Sequence, residues 1–460
     1  MNHHLRFPKG SRRVEAALVG AGAFGCSLLA QSRRMSLLRT GIAVDREAAT
    51  AAAGFAAAGV PTVDIAQCDT AAEARAAWDR GHYVATGNLN AVIDLPFDIL
   101  VEASGQPEPA AAAALAAIER RKHVAMVSKE VDSVIGPFLA SEAAAKGVVC
   151  TPVDGDQPSL LIGLVTWAET LGLEIIAAGK SSEYDFIYDP ARRHVTTALG
   201  SVAVPDFNGL WNAGEDLAAT LAGRAAAIGL PTHAVPDLCE MGIVANATGF
   251  LPDIPAFHAP ILRTREVPTA FDTRAEGGIL AGTRRIDVFN CLRLPDEVSF
   301  AGGVFITVRC SDATTWRVLE EKGHVLSRSG RAGLIFNPRH LLGIEAPTSI
   351  LDAVLHGRSS AGPIRPVVDL VARAAADLPQ GRALAAEGHH HEIEHLTPEL
   401  IPAVRLEPDR PVPYYLLANK RLARRVPAGA LLTMADIDFG SGSLLLDLRR
   451  RQDTAMDTAP

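Results

Sequence analysis

The strongest structural signal in the chain is Val14-Glu15-Ala16-Ala17-Leu18-Val19-Gly20-Ala21-Gly22-Ala23-Phe24-Gly25. An apolar run there ends in the pattern G-x-G-x-x-G, and a helix-like segment from Cys26 to Arg34 follows directly. Gly20 allows a tight strand-to-helix turn, Gly22 lets a pyrophosphate approach the backbone, and Gly25 lets the helix pack close to the strand. The phosphates would lie on the free N–H groups at the N-terminus of that helix. The pattern predicts a dinucleotide site whose contacts are Gly20, Gly22, Ala23, Phe24 and Gly25.

A second apolar run, Thr40 to Val44, ends in Asp45, 20 residues after Gly25. In a dinucleotide-binding unit, this is where an acidic side chain meets the ribose hydroxyls of the adenosine. An acid there favours NAD, because it would repel the 2′-phosphate of NADP. Arg46 stands beside it and could turn to bind that phosphate. The sequence therefore predicts NAD or NADP as the cofactor and places Asp45 and Arg46 at its adenosine end.

Strand and helix patterns alternate from Val14 to about Gly155, with one helix predicted from Pro137 to Lys146. Repeated units with apolar strands imply a doubly wound parallel sheet, in which ligands lie across the carboxyl ends of the strands. Two further strand ends are therefore candidates for the cofactor cleft, Ala103-Ser104-Gly105 and Ser128-Lys129-Glu130. We expect Lys129 toward the nicotinamide end, within reach of a substrate oxygen or the nicotinamide ribose. The alternative is a surface lysine in a loop.

Length and composition limit the classes of function. At 460 residues the chain is too long for one hydrophobic core, so two or three domains are expected. A net charge of −8 without a basic patch argues against nucleic acid binding. The six cysteines form no C-x-x-C pair, the N-terminus has no apolar signal region, and no run approaches the ~20 apolar residues of a membrane span. We expect a soluble, cytoplasmic homo-oligomer that acts on a small molecule.

The middle of the chain changes character after Gln157, where short strands with Pro- and Gly-rich turns predict an α+β domain. Loops dense in charged and polar residues are typical of the lining of a polar site. Asp253 and His258 flank a proline-constrained loop and could act as acid and base; a turn-forming Asp and a structural His are the alternative. Glu240 and Asp253 could hold a divalent cation through their oxygens, and Lys180 could bind a phosphate or carboxylate.

The tail contains two similar phrases, at residues 371–381 and 422–432, that predict a small β-rich module. Its histidine-rich stretch, residues 389–395, has side chains that suit zinc or nickel. We interpret the stretch as a solvated loop, because no apolar element holds these side chains in a closed geometry. The predicted domains are a dinucleotide-binding domain at residues 12–155, an α+β catalytic domain at 156–362, the β-rich module at 363–445 and a disordered tail at 446–460.

Several short motifs lie in order along most of the chain. They are Gly20 to Gly25, Glu102 to Gly105, Gly155 to Ser159, Ala178 to Lys180, Glu240-Met241, Ala245 to Gly249, Pro252 to Ile254, His258, Glu276 to Gly278 and Val354 to Gly357. In this order they resemble the deoxyxylulose-phosphate reductoisomerase-like oxidoreductases, which are related in their cofactor domain to homoserine dehydrogenases. The similarity covers residues 12 to 440, and the tail resembles the SAF module, a β-clip fold, that ends these chains.

The resemblance implies the reduction and rearrangement of deoxyxylulose 5-phosphate to methylerythritol 4-phosphate with NADPH, a step of isoprenoid biosynthesis. It also implies a divalent cation, Mg²⁺ or Mn²⁺, that holds the substrate oxygens. Two segments depart from members with that activity. One is Ser128-Lys129-Glu130-Val131-Asp132, where theirs reads more like Asn-Val-Glu-Ala-Asp; the other is residues 181–185, which replace a more neutral polar loop. Both lie at the expected substrate end, so the substrate stays open.

We therefore expect an NAD(P)-dependent oxidoreductase acting on a small polar hydroxy or keto compound. One alternative is a hydroxy-acid dehydrogenase that resembles homoserine dehydrogenase and catalyses no rearrangement. Another is a dinucleotide-binding sensor or scaffold that uses the SAF-like module as a binding surface. In an enzyme, lysines would fix the substrate or polarise its carbonyl, and a histidine would move a proton. The side chains expected to open onto one cavity beside the nicotinamide are Lys129, Lys180, Glu240, Asp253 and His258.

Overall fold

The computed structural model describes residues 2–388 and 391–455. His389 and His390 of the histidine-rich stretch and residues 456–460 of the predicted tail lie outside the described residues. The chain begins with a short helix, α1 (His3–Arg6). Within the described ranges, none of the helices combines the length and the apolar character that a membrane crossing requires.

The first large element is a sheet of seven strands with helices between them. Its strands are β1 (Val14–Val19), β2 (Leu38–Val44), β3 (Ile65–Gln67), β4 (Tyr83–Thr86), β5 (Ile99–Glu102), β6 (His123–Met126) and β7 (Cys150–Pro152). Its helices are α2 (Ala23–Ser32), α3 (Ala48–Ala57), α4 (Ala71–Asp79), α5 (Pro107–Glu119) and α6 (Lys129–Ala145). The spatial order is β3-β4-β2-β1-β5-β6-β7, and neighbouring strands run parallel. The strand order reverses at β1, which opens a crevice at the carboxyl edge. The predicted doubly wound fold is confirmed.

Helix α6 differs from the prediction, because it begins at Lys129 and carries Pro137 in its interior. Proline inside a helix clashes with the preceding turn, and a side chain often enters the hydrogen-bond ladder at such a break. Here the side chain of Gln452 accepts from the N–H of Phe138 at 3.0 Å and donates to the carbonyl of Val134 at 3.4 Å. In an unbroken helix those two backbone groups would bond to each other. Lys129 therefore lies on the first turn of a helix and not in a loop.

A second, mixed sheet follows. Its strands are β8 (Ile175–Ser181), β9 (Phe186–Asp189), β10 (His194–Thr197), β11 (Gly200–Ala203), β12 (Leu251–Pro252), β13 (Ile261–Leu262), β14 (Arg285–Arg293), β15 (Val304–Arg309) and β16 (Ala332–Asn337). The order is β11-β10-β9-β14-β8-β15-β16, with β12 and β13 beside β14. The helices are α7 (Gln157–Thr170), α8 (Leu217–Ile228), α9 (Val235–Thr248), α10 (Val267–Ala270), α11 (Ala313–Glu321) and α12 (Pro347–His356). This is the expected α+β region, although α12 returns to pack on β6 and β7.

The C-terminal part is a small β-rich module, as predicted. Its strands are β17 (Val368–Ala374), β18 (Ala383–Leu384), β19 (Ala386–Glu387), β20 (Glu392–Ile393), β21 (Leu396–Pro402), β22 (Lys420–Leu422) and β23 (Ile437–Asp438). The pairs β17–β21, β18–β22, β22–β23 and β19–β20 are antiparallel. The two similar phrases noted in the sequence lie side by side, since Leu378 is bridged to Val426 and Arg373 to Leu431. Assignment to the SAF module and the predicted domain limits remain predictions.

The predicted disordered tail is wrong for residues 446–455, which lie within helix α13 (Leu444–Ala455). This helix packs against α5 and α6. Its fully buried Arg449 donates to both oxygens of Asp369, at 2.6 and 2.9 Å, and to Asp453 at 2.8 Å. The polar, arginine-rich sequence of this helix is typical of a solvent-exposed tail. Here it is ordered because Arg449 binds the carboxylate of Asp369, 80 residues away in sequence.

We expect Arg449→Ala to lower the free energy of unfolding by about 3–5 kcal/mol, because Asp369 would keep a buried charge without its partner. Arg450→Ala is the matched control, since the neighbouring Arg450 is largely exposed and only approaches Asp447 at 3.5 Å. That change should cost about 1 kcal/mol or less. Urea unfolding of both variants makes the comparison, and equal losses would contradict the structural role of Arg449.

Candidate active site

The glycine-rich loop has the geometry that a dinucleotide requires. Gly20 has a φ of +95°, and a side chain there would strike the carbonyl of Ala103. A side chain at Gly25 would strike the carbonyl of Gly20, so α2 packs directly on the turn. Gly22 is the N-cap of α2 and faces open space. Because it has no side chain, the free N–H groups of the first turn stay uncovered. The first turn of α2 therefore offers an open cradle that suits a pyrophosphate.

Asp45 has a second role that the sequence did not indicate. Its carboxylate accepts hydrogen bonds from the N–H of Ala21 at 2.8 Å and from the N–H of Arg46 at 2.7 Å. The carboxylate thus ties the end of β2 to the glycine-rich loop. Arg46 itself is exposed beside it. The two predicted adenosine-end residues are therefore neighbours of the phosphate cradle.

The end of β5 and the start of α6 meet at the same edge of the sheet. The N–H of Ser104 donates to Glu102 at 3.1 Å, and the N–H of Gly105 donates to the hydroxyl of Ser128 at 2.8 Å. Burial raises the pKa of Glu102. Because Gly20 lies against Ala103, this edge is continuous with the cradle. The predicted cofactor-binding residues are therefore brought together at one crevice.

The predicted catalytic residues Lys129, Lys180 and Glu240 also converge. Glu240 on α9 is fully buried, and each of its two oxygens accepts a hydrogen bond from one lysine. Burial alone would raise the pKa of Glu240, but the charges of Lys129 and Lys180 lower it to about 2. Burial works against the charge of Lys129 as well, whereas Asp156 and Glu240 raise its pKa well above the ordinary value. The cluster is therefore fully ionised at neutral pH.

The two lysines differ in what they can reach. The side chain of Lys129 is 19% exposed, whereas that of Lys180 is completely buried and also contacts Asp237 at 2.9 Å. Lys180 therefore cannot bind a substrate phosphate or carboxylate as the sequence suggested, because its charge is enclosed with Asp237 and Glu240. Lys180 holds Glu240 in place, and Lys129, at the start of α6, is the lysine of this pair whose side chain is partly exposed.

Asp253 and His258 form a separate group. His258 Nδ1 lies 2.7 Å from Asp287 Oδ2, and its Nε2 lies 3.6 Å from Asp253. Asp253 is buried beside Arg285, at 3.5 Å, and accepts from the N–H of Ala281 at 2.9 Å. His258 is thus held by Asp287, whereas Asp253 has one oxygen bonded to Ala281 and one buried oxygen, Oδ2, without a hydrogen-bond partner among the described residues.

The register of the mixed sheet separates this group from the lysines. Asp287 on β14 pairs with Gly179 on β8, and the next residue, Val288, pairs with Lys180. Successive side chains of a strand point to opposite faces, and paired residues share a face. Asp287, which holds His258, therefore points away from the face that carries Lys180. The expectation that Asp253 and His258 share one cavity with Lys129 is wrong.

The predicted cation pair is not formed either. Glu240 gives both oxygens to lysines, and Asp253 lies in the other group. Across residues 2–388 and 391–455, no cluster of three or more His, Cys, Asp or Glu side chains is arranged to hold a metal ion. We therefore do not retain Glu240 and Asp253 as metal ligands.

Two carboxylates that were not among the predicted catalytic residues join the lysine cluster. Asp237 contacts Lys180, and the hydroxyl of Ser182 donates to it at 3.3 Å. Asp156 lies 3.8 Å from the ammonium of Lys129 and 3.9 Å from the ring of His340. A signal existed for Asp237, since residues three apart on a helix share a face with each other and Glu240 follows at that spacing. For Asp156, the signal was its position just after β7.

The interpretation of the histidine-rich stretch is wrong for one residue, His391. The side chain of His391 is only 13% exposed, and its Nε2 lies 3.9 Å from Glu130. A Cβ on Gly105 would lie 3.6 Å from that same nitrogen. His391 therefore lies at the cofactor edge of the parallel sheet, although it is far from that sheet in sequence. Its interpretation as part of a solvated loop is wrong.

Comparison with protein families gives one match. Residues 234–346 match the family model described as "Oxidoreductase DRL, catalytic domain". The matched segment is less than half of the chain and contains all of α9, the β12–β13 loop and β14. The match confirms the prediction of an oxidoreductase. No curated protein matches the chain.

Comparison with solved structures also gives matches, several of them to dehydrogenases. GenD2 from gentamicin A biosynthesis, in complex with NAD, is 16% identical over 76% of this chain and 88% of its own, with a TM-score of 0.33. A probable dehydrogenase from Thermotoga maritima is 11% identical over 76% and 91%, with a TM-score of 0.35. The homoserine dehydrogenase of S. aureus is 17% identical over 35% and 43%, with a TM-score of 0.23.

Asp132 gives the site a pH-dependent effect on stability. It lies one turn after Lys129 and lines a small cavity with Lys129 and Asp156. Burial raises the pKa of Asp132 from 3.8 to about 7. The folded protein keeps a proton there that the unfolded chain loses, so this group lowers stability as the pH rises through that window. Asp132→Asn abolishes this titration. As the pH rises through the window, the free energy of unfolding of the variant should therefore increase relative to that of the native protein by about 1 kcal/mol per pH unit.

Urea unfolding of both proteins from about pH 4.5 to pH 8 measures the effect, which should level off above about pH 7. Glu142→Gln on the same helix is the control, because a third of the Glu142 side chain is exposed. Parallel stability curves for native protein and Asp132→Asn would contradict the assignment.

Proposed function

We propose that the chain is an NAD(P)-dependent oxidoreductase in which Lys129 binds the reacting oxygen of a small polar hydroxy or keto substrate. The observation that carries this proposal is the position of Lys129, whose side chain is partly exposed. It lies at the carboxyl edge that also bears the glycine-rich cradle, and a buried carboxylate fixes it from behind. A bound dinucleotide would accept or deliver the hydride at this edge.

The charge of Lys129 defines its role. Glu240 and Asp156 keep the lysine protonated, so it acts as a hydrogen-bond donor and not as a base. A donor placed where negative charge develops stabilises an alkoxide, and such preorganised groups are among the strongest contributors to catalysis. Lys129 keeps its charge, so the proton that a new hydroxyl takes up in reduction, or that an alcohol releases in oxidation, would be exchanged with solvent at the partly exposed lysine. The geometry thus fits interconversion of a carbonyl and an alcohol.

NAD is the cofactor that the adenosine end favours. The carboxylate of Asp45 is held by the N–H groups of Ala21 and Arg46, so its negative charge stays at the end of β2. A 2′-phosphate would meet that charge, whereas ribose hydroxyls could donate to it. Arg46 is exposed and could still turn toward a phosphate, so both dinucleotides belong in the assay.

A simple dehydrogenase reaction is better supported than the reductoisomerase reaction. Rearrangement of a sugar phosphate would draw on a cation site and on a lysine for the phosphate. Glu240 and Asp253 do not meet, and Lys180 is enclosed by carboxylates. Lys129 alone serves hydride transfer without rearrangement, as in the homoserine-dehydrogenase-like alternative. Homo-oligomeric assembly and a cytoplasmic location stay predictions from the sequence.

Lys129→Met should lower kcat/KM by about a hundred-fold or more while NADH still binds, because a transition-state donor is lost. Glu240 would keep Lys180 as a partner, so folding should survive. Lys146→Met, just after the same helix at an exposed position, is the control and should keep full activity. The assay follows NAD(P)H absorbance with a panel of hydroxy acids, polyols and deoxyxylulose 5-phosphate. Unchanged turnover in Lys129→Met would contradict the proposal, and a native protein that binds NADH but turns over no substrate would favour the sensor.

Gly22→Val tests the cradle itself. The structure tolerates a side chain there, since Gly22 has extended backbone angles and open space. The variant should therefore keep its melting temperature and lose most of its affinity for NAD(H), because the side chain occupies the place of the pyrophosphate. Gly163→Val, exposed on α7 with open space of its own, controls for a general effect of valine. Calorimetry that finds native affinity in Gly22→Val would place the dinucleotide elsewhere.

A further inference from the structure

The C-terminal module is anchored to the helices that form the lysine cluster. The side chain of Asn246, near the end of α9, accepts from the N–H of Val367 at 2.7 Å and of Val368 at 3.0 Å. The same helix also contacts the start of α6, because the thiol of Cys239 donates to the carbonyl of Lys129 at 3.2 Å. The module thus begins at a fixed point beside the active site, and its strands β17 and β21 lie against α9.

His391 is the residue of this module that enters the crevice. Its ring meets the buried ring of Tyr415 edge-on, at 6.4 Å between centroids, and its Nε2 lies 3.9 Å from Glu130. The same nitrogen lies beside Gly105. Gly105 follows the end of β5 and Glu130 follows the end of β6, so His391 stands between two adjacent strand ends.

The sheet order tells which half of a dinucleotide would lie there. The crevice runs across β1, with β2 on one side and β5 and β6 on the other. Asp45 marks the β2 side as the adenosine end, and the pyrophosphate crosses the cradle at β1. The β5–β6 side is then the nicotinamide half, and this is the side on which His391 stands.

The backbone of the module supports a special role for this position. His391 has a φ of +52°, a left-handed conformation that residues other than glycine seldom adopt. His395 in the same loop has a φ of +64°, but its side chain is 45% exposed and approaches Glu394. Strained residues persist where the surroundings hold them and are concentrated at ligand-binding positions. The loop thus offers two strained histidines, one in the crevice and one in solvent.

We propose that His391 contacts the nicotinamide half of the bound dinucleotide, so that the C-terminal module supplies part of the cofactor site. The inference rests on the proposed function, because it requires a dinucleotide in the crevice. It assigns the module a ligand-contacting residue in place of the separate binding surface that a sensor would use. His391 donates to the carboxamide of the nicotinamide or stacks on its ring, the part of the cofactor that ADP-ribose lacks.

The experiment compares NADH with ADP-ribose, which lacks the nicotinamide, by calorimetry on the full chain. His391→Asn is the variant, because asparagine tolerates the left-handed conformation and is too short to reach the crevice. We expect NADH affinity to fall by about five-fold or more, the loss of one hydrogen bond or ring contact, with ADP-ribose affinity unchanged. His395→Asn makes the same change at the exposed position and should leave both affinities as they are.

The possible outcomes separate the two proposals. If the native protein binds both ligands and His391→Asn weakens neither, or weakens both equally, His391 does not contact the nicotinamide half and this inference is wrong. If the native protein binds neither ligand, the proposed function is wrong and the inference falls with it. Thermal melting of both variants shows whether the loop change has altered folding; should His391→Asn melt early, His391→Gln, which keeps a polar group near the ring position, should restore the preference for NADH.

Discussion

Both oxygens of the Glu240 carboxylate are taken by lysines from different parts of the fold, Lys129 from α6 beside the parallel sheet and Lys180 from the mixed sheet. Burying an ion costs several kcal/mol, and only close partners offset that cost. With Asp237 against Lys180 and Asp156 near Lys129, two positive charges face three negative ones in a small volume. The relative position of the two sheets, and with it the presentation of Lys129, depends on this arrangement.

The C-terminal module is held by helices α9 and α13. Asn246 on α9 holds the start of the C-terminal module, and Arg449 on α13 holds Asp369 on its first strand. In both contacts the polar groups are buried, so removing one partner would leave the other without a hydrogen bond and destabilise the fold. The module therefore has a defined position against α6 and α9, and His391 enters the crevice as a consequence of that position.

Local signals in the sequence predicted well where chemistry acts over short distances. The glycine-rich turn and the fold class depend on neighbouring residues, and the structure agrees with both predictions. Lys129 was placed at the right strand end, but its helix was expected to start at Pro137, because the side chain that stabilises the break comes from Gln452. Asp253 and His258 were grouped with the lysines because sequence does not show which face of a strand their partner Asp287 takes. His391 was missed because its position depends on tertiary packing: only the docking of the C-terminal module brings it close to Gly105.

At the break beside Pro137, the side chain of Gln452 takes the place of the hydrogen bond between Phe138 and Val134, so the two parts of α6 are linked there through a residue of α13. Lys129 lies about two turns from the break, at the start of the first part. Gln452 thus couples the C-terminal helix to the element that carries Lys129, through backbone groups of α6 and without touching the lysine itself.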